Sequence, residues 1–212
     1  MKFEQCKQLF LPRNFGCESG IERLNNGGLH ISVLTRMPNV TAEMIAWWFG
    51  DYMQTTEHYR LWHPRDHVWM DWADKQPGTH LGAKHLVHEY VGGKLYKLRI
   101  HFIPPDQFFE DEVETDPESL LLCAKLTFLN LPIETTRFVH AVRNVEGGCE
   151  MRSNFWLGYI DSPLWLVNQI GNLSITRKIG ATHALGRAIE VHCHEEMTNL
   201  AGFLPRLYAG EN

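Results

Sequence analysis

THALGRAIEVHCHEEMTNLAGFL, residues 182–204, is the stretch whose reading decides the fold. Leu185, Ile189, His192, Glu196, Leu200 and Phe203 recur there at steps of three and four, which predicts a long helix with that stripe turned inward. Upstream, Ser162-Pro163 is a start signal for a shorter helix over 164–170. The middle of the chain reads as strands. Residues 86–90 and 95–102 flank Gly92-Gly93, a hairpin signal. Leu98, Ile100 and Phe102 alternate with Lys97, Arg99 and His101, as in a half-buried antiparallel strand. Residues 120–128, 135–143 and 149–158 give three more strands, the last two joined through Gly147-Gly148. Ahead of them, residues 40–53 predict a helix that Thr41 or Asn39 can cap, with Met44, Trp47, Trp48 and Phe49 on its apolar face. A curved antiparallel sheet closed over a long C-terminal helix is an α+β helix-grip arrangement. It leaves a cavity between sheet and helix where a hydrophobic ligand would sit.

Composition narrows the function. The 212 residues carry 20 Lys and Arg against 25 Asp and Glu, a net charge of −5, with no basic run. A nucleic-acid role has no electrostatic footprint in such a chain. No apolar run reaches the length of a membrane span, and the start, MKFEQCKQLFLPRNFGCESG, lacks the features of a signal peptide. The expectation is a cytoplasmic protein with no membrane or nucleic-acid partner. The length suits one domain over 1–212, with 1–36 as an N-terminal segment ahead of a main body over 37–212. The five cysteines, Cys6, Cys17, Cys123, Cys149 and Cys193, form no CxxC pair, so neither a disulfide framework nor a zinc ribbon is expected. The acidic stretch over 110–118 reads as a solvated loop. Nothing in the sequence speaks against a homodimer.

Histidine stands out, with 12 residues of a type that ligates metals and moves protons near neutral pH. His192 and Glu196 are four apart, so a helix puts them on one face a turn apart. That face is otherwise apolar, and a buried carboxylate needs a cation. A divalent metal satisfies both residues, whereas His194 and Glu195 point elsewhere on the helix. Glu89 lies between Val87 and Val91 on one strand face, an odd place for an unpaired carboxylate. His63 and His67 occur in WHPRDH, among Trp62, Trp69 and Trp72. His63, Glu89, His192 and Glu196 supply two nitrogens and two oxygens, a set that suits Zn2+ and would accept Mn2+ or Fe2+. His140 shares a strand face with Phe138 and Val142 and should point inward. Glu150 and Arg152, on the opposite face from Met151 and Phe155, suit a structural ion pair.

Together MPNVTAEMIAWWFG, YRLWHPRDH, HEYVGGKLYKLRIHF, CEMRSNFWLG and HCHEEMTNLAGFLPRLY resemble the 2,4-diacetylphloroglucinol hydrolase family over most of the chain. The resemblance implies a Bet v 1-like (START-like) fold and a zinc enzyme that hydrolyses the carbon–carbon bond between an acyl group and an aromatic ring. It implies zinc among two His and two Glu, matched by Glu89, Glu196, His192 and, for the second His, best by His63, with His67 and His58 as alternatives. It also implies a catalytic pocket histidine at His140 and a catalytic polar residue at Asp66. The family's characterised acetylphloroglucinol enzymes are longer at the N-terminus and use pocket tyrosines. Near one such position this chain has Phe155, and Tyr52, Tyr59 and Tyr159 are nearby in sequence without a match.

The expected function is therefore metal-dependent hydrolysis of an acylated phenol or β-diketone-like compound, with a small hydrophobic aromatic or polyketide-like molecule as substrate. Two rival readings are a non-catalytic carrier of a hydrophobic ligand in a START-like cavity and a metal-dependent polyketide cyclase or isomerase.

Overall fold

A computed structural model describes residues 19–109 and 118–211. The acidic stretch, apart from Glu118, lies outside the described residues, as do Cys6, Cys17 and the start of the chain. Among the described residues eight strands form one antiparallel sheet: β1 (Gly20–Arg23), β2 (Leu29–Pro38), β3 (His67–Ala73), β4 (Lys84–Val91), β5 (Lys94–Ile103), β6 (Ser119–Phe128), β7 (Glu134–Val145) and β8 (Gly148–Asp161). Their spatial order is β1-β2-β8-β7-β6-β5-β4-β3. The helices are α1 (Ala42–Trp47), α2 (Thr56–Trp62), α3 (Pro105–Phe109), α4 (Trp165–Gly171), α5 (Ser174–Gly180) and α6 (His183–Tyr208).

The sheet curves around α6. That helix touches β1 and β2 at one side and β4 at the other. Between β2 and β4 lie β8, β7, β6 and β5. Five strand spacings of about 4.8 Å span roughly 24 Å when flat, twice the width of a helix at about 12 Å. One helix reaches both sides only if the sheet bends toward it. The architecture is thus the α+β helix-grip that the C-terminal stretch predicts.

Local chemistry explains the ends of the elements. The Thr182 side chain accepts from the Leu185 amide at 3.1 Å and caps α6. Its buried residues are Gly186, His192, Cys193, Glu196, Met197, Leu200 and Leu204. The stripe is thus rotated slightly from the expected one, and Leu185, Ile189 and Phe203 are only partly buried. The helix expected over 40–53 begins at the Thr41 cap but widens after α1 into a π-helical turn, Trp48–Tyr52. That turn keeps consecutive Trp48 and Phe49 both inside. Pro64 forbids helical geometry at the residue before it, and α2 ends with His63 extended at φ −143° and ψ 85°.

The main core lies between the inner sheet face and α6, with Ile31, Val87, Leu122, Met151, Met197 and Leu200 buried. A smaller apolar cluster on the outer face gathers Phe108 and Phe109 of α3 with Val139 and Trp156. By contrast α4 and α5 bury no residue and expose Trp165, Leu166, Ile175 and Ile179. Cys123, Cys149 and Cys193 are buried. Among the described residues no helix is long and apolar enough to cross a membrane.

Candidate metal centre

Two elements converge at the site: the middle of α6, and the α2–β3 junction. Helical spacing puts His192 and Glu196 on one buried face, with His192 Nε2 at 3.9 Å from Glu196 Oε2. Across from them His67 opens β3, where the register with β4 shifts between His67 and Trp69. The shift ends a regular ladder and aims the imidazole at α6, with His67 Nε2 at 3.4 Å from Glu196 Oε2. One ligand atom each from His67, His192 and Glu196 lies within 4.8 Å of the others, and all three residues are buried.

The wiring of His67 leaves a lone pair free. Its Nδ1 lies 2.8 Å from the carbonyl oxygen of Tyr59 and must donate to it, which puts the neutral ring's one hydrogen there. Nε2 is then an unprotonated acceptor, buried with no hydrogen-bond partner among the described residues. A backbone carbonyl fixing the tautomer behind a free ring nitrogen is how a metal-ligating histidine is held. Burial lowers the His67 pKa from 6.5 and so favours the neutral form. The Tyr59 ring stacks on His67 at 3.7 Å and 7°. Its hydroxyl donates to Glu89 Oε2 at 2.5 Å. Tyr59 therefore braces two candidate ligands at once.

The structure brings three of the four expected ligands into one chamber: Glu89, His192 and Glu196, together with His140, line a cavity of about 70 Å3. His63 sits to one side. It belongs to a second candidate group, with Asp66 and His192, whose ligand atoms also lie within 4.8 Å of one another. Its Nδ1 accepts from the Asp66 amide at 3.3 Å, so the neutral ring carries its hydrogen on Nε2. That hydrogen faces carboxylates, with Glu195 Oε2 at 3.5 Å and Asp66 Oδ2 at 3.7 Å. The third alternative, His58, is apart from both groups: it stacks on Tyr52 at 4.5 Å and takes the Gln54 amide on Nδ1.

Asp66 lies behind His192, with Oδ2 at 3.5 Å from Nδ1. Burial pushes its carboxyl up, but the hydrogen bonds from Arg65 and the nearby His63 hold it below its usual value. His140 points inward as its strand parity predicts, buried between Phe138 and Phe155, with Nδ1 at 2.7 Å from Ser153 Oγ. Burial drives its pKa down to about 3, so the ring is neutral. Burial also pushes the Glu196 carboxyl up to about 8, against the pull of His192 and with the push of Glu89. Without a cation Glu196 would hold a proton at neutral pH.

Some contributors lie outside the expected set. His85 is on the same β4 face as Val87 and Glu89; it is buried, its Nε2 lacks a hydrogen-bond partner among the described residues, and it lines the 70 Å3 cavity. The period-two spacing from Glu89 carries that signal. Glu195, expected to point away, pairs with Arg65 at 2.5 Å at the rim, while His194 is exposed. Glu150 does pair with Arg152, at 3.0 Å, and also with Arg143 at 3.1 Å, away from the cavity. Tyr159 lies over Arg137 at 4.0 Å and is likewise remote.

A family model described as the DAPG hydrolase PhiG domain matches residues 1–209. The chain belongs to this family. It is 28% identical to phloretin hydrolase of Eubacterium ramulus, over 84% of this chain and 66% of that enzyme. It is 26% identical to 2,4-diacetylphloroglucinol hydrolase of a Pseudomonas species, over 97% of this chain and 75% of that enzyme. The chain thus spans just under two thirds of the first relative's length. Among solved structures it is similar to Ara h 8.0201, with a TM-score of 0.49 and 11% identity over 84% of this chain and 98% of that one. The ZhuI aromatase/cyclase of Streptomyces sp. R1128 gives a TM-score of 0.48 and 10% identity over 87% of this chain and 98% of that one. Membership of the family matches the resemblance in the sequence motifs.

Proposed function

We propose that this chain is a metal-dependent hydrolase that cleaves the carbon–carbon bond between an acyl group and a phenolic ring. The observation that carries the reading is the buried triangle of His67, His192 and Glu196, with Glu89 in the chamber beside it. Its relatives are named for hydrolysis of phloretin and of 2,4-diacetylphloroglucinol, and this site offers what such a reaction requires. Zinc is the favoured ion because the set mixes imidazole with carboxylate and contains no thiolate. The unpartnered Nε2 of His67 and the raised Glu196 carboxyl both fit a cation. His67 is assigned in preference to His63, whose free hydrogen points at carboxylates.

A divalent ion held there would polarise an acyl carbonyl and acidify water. The chain's own residues do the rest. Water adds its hydroxyl to the acyl carbon, the acyl–aryl bond breaks, and the ring carbon takes the remaining proton. The products are a carboxylic acid and an arene C–H. His140, anchored by Ser153, can relay a proton from water to the leaving carbon without resting in the charged form, which burial disfavours. Asp66 and Tyr59 keep His192, His67 and Glu89 in place from behind. The apolar walls exclude bulk water from the reacting bond.

The test pairs elemental analysis of protein purified without added metal with an assay on acylphenols. About one metal per chain and release of a carboxylic acid are expected. Metal-free protein whose stability ignores added zinc, or protein that leaves every acylphenol intact, overturns the reading.

A further inference from the structure

The chamber of about 70 Å3 holds a group that the proposed reaction leaves idle. His85 precedes Val87 and Glu89 on β4 at steps of two, so its side chain points to the same inner face. It is 1% exposed, and its Nε2 has no hydrogen-bond partner among the described residues. Its ring stacks on Trp72 at 4.5 Å and 21° and meets Tyr59 edge to face at 5.3 Å and 84°. A phenylalanine would make those contacts equally well. Packing therefore explains the ring but not its nitrogens. A buried polar atom left unpaired costs stability that an apolar ring does not.

Three kinds of partner could satisfy that nitrogen: protein, metal or water. The described residues supply no protein partner. His85 belongs to neither group of candidate metal donors. Water remains, and the chamber suits it. At about 30 Å3 each, roughly two waters fit. A buried water needs roughly two to four polar partners, and Glu89, His140, His192 and Glu196 line the chamber with His85. Of the two uncharged imidazoles there, His140 commits Nδ1 to Ser153, whereas His85 has Nε2 to offer. Either tautomer serves, since Nε2 accepts from water when the hydrogen is on Nδ1 and donates to water when it is not.

We infer that His85 holds the attacking water: its Nε2 binds a water in the chamber and sets where the oxygen stands relative to the metal centre and His140. In this role His85 neither takes nor gives up a proton, so the proton balance of the reaction is unchanged. That the water attacks rests on the hydrolase reading; that it is bound at His85 does not.

The test combines a crystal structure of the zinc-supplemented protein with His85→Phe, His85→Leu and His85→Gln. A water, free or on the metal, is expected within about 3.2 Å of His85 Nε2. A dry nitrogen, or one bound directly to the metal, overturns the inference. The Phe and Leu variants remove an unpaired polar group, so Tm at or near the wild-type value is expected in at least one, with bound metal unchanged. On an acylphenol that variant should lose roughly 100-fold in kcat, as when a reactant is misplaced, with KM little changed. His85→Gln, which can still bond a water, should recover part of the loss. If both apolar variants melt well below wild type or lose metal, His85 is structural and the inference falls. It falls equally if a folded apolar variant keeps wild-type kcat. That last result would leave the hydrolase reading standing. If the water lies at His85 while no acylphenol is cleaved, the hydrolase reading fails and the water site stands.

Discussion

Replacing Glu196 by Gln tests the site through stability rather than turnover. In the metal-free protein, burial raises the Glu196 carboxyl from 4.5 to about 8. The folded state then keeps a proton that the unfolded chain releases above pH 4.5. Wherever the native state binds more protons than the unfolded one, stability falls as pH rises. The stability at stake is fully present below the unfolded value and is lost progressively up to the folded value near 8. The loss is about 1.4 kcal/mol per pH unit, which reaches about 4 kcal/mol by roughly pH 7.5. For a chain of this size that is roughly 10 °C in Tm. The Glu196→Gln variant has no such proton to lose. Thermal unfolding of chelator-treated wild type and variant, from about pH 5 to pH 9, should therefore diverge with rising pH, the wild type falling faster. Added zinc should recover the wild type and not the variant, because only an ionised carboxylate supplies the ligand. Parallel stability curves over that range would refute the burial argument, and equal rescue of both proteins would refute the ligand assignment.

Other outcomes follow from the same geometry. His67→Ala should lose bound metal and activity while His63→Ala keeps most of its metal, read by elemental analysis of both. The reverse pattern would return the ligand role to His63. His140→Gln should retain stoichiometric metal but lower kcat by roughly 100- to 10,000-fold; loss of metal in that variant would make His140 a ligand instead. Glu195→Ala removes a rim contact to Arg65 and should change stability by about 1 kcal/mol or less in denaturant titration. A change several times larger would mean the rim network supports the site.

Helix α6 was legible because its stripe and the His192–Glu196 pair lie within one continuous helix, where spacing alone determines the facing. The stripe is turned from the expected one because Leu185 and Ile189 line a cavity instead of packing tightly, so hydrophobicity there does not mean full burial. Strands β4 to β8 follow from alternation and paired glycines. In β2, Leu29, Ile31 and Val33 alternate with His30 and Ser32, so the signal existed, but polar residues buried on its second face weaken it. Choosing between His63 and His67 needed tertiary information. Which ring nitrogen is free depends on a backbone carbonyl at Tyr59 and a backbone amide at Asp66. No residue pattern encodes those bonds. The Tyr59–Glu89 bond joins residues 30 apart and is equally invisible to local spacing.

The placement of α6 limits how this protein can be reshaped. Leu185 and Ile189 line a cavity of about 250 Å3 between the sheet and α6, and His192 and Glu196 follow on the same rigid rod. At Gly186 the rod lies so close to β2 that a side-chain carbon there would meet Leu29 at 2.5 Å. Sliding or tilting the helix to admit a different molecule would drag the candidate donors His192 and Glu196 with it. Changes to the helix therefore alter the cavity and the candidate metal centre together, whereas β6 and β8 line the cavity without carrying any of the candidate donors. A designer, or natural drift, can vary Leu126 or Phe155 and reshape the cavity while those donors stay fixed.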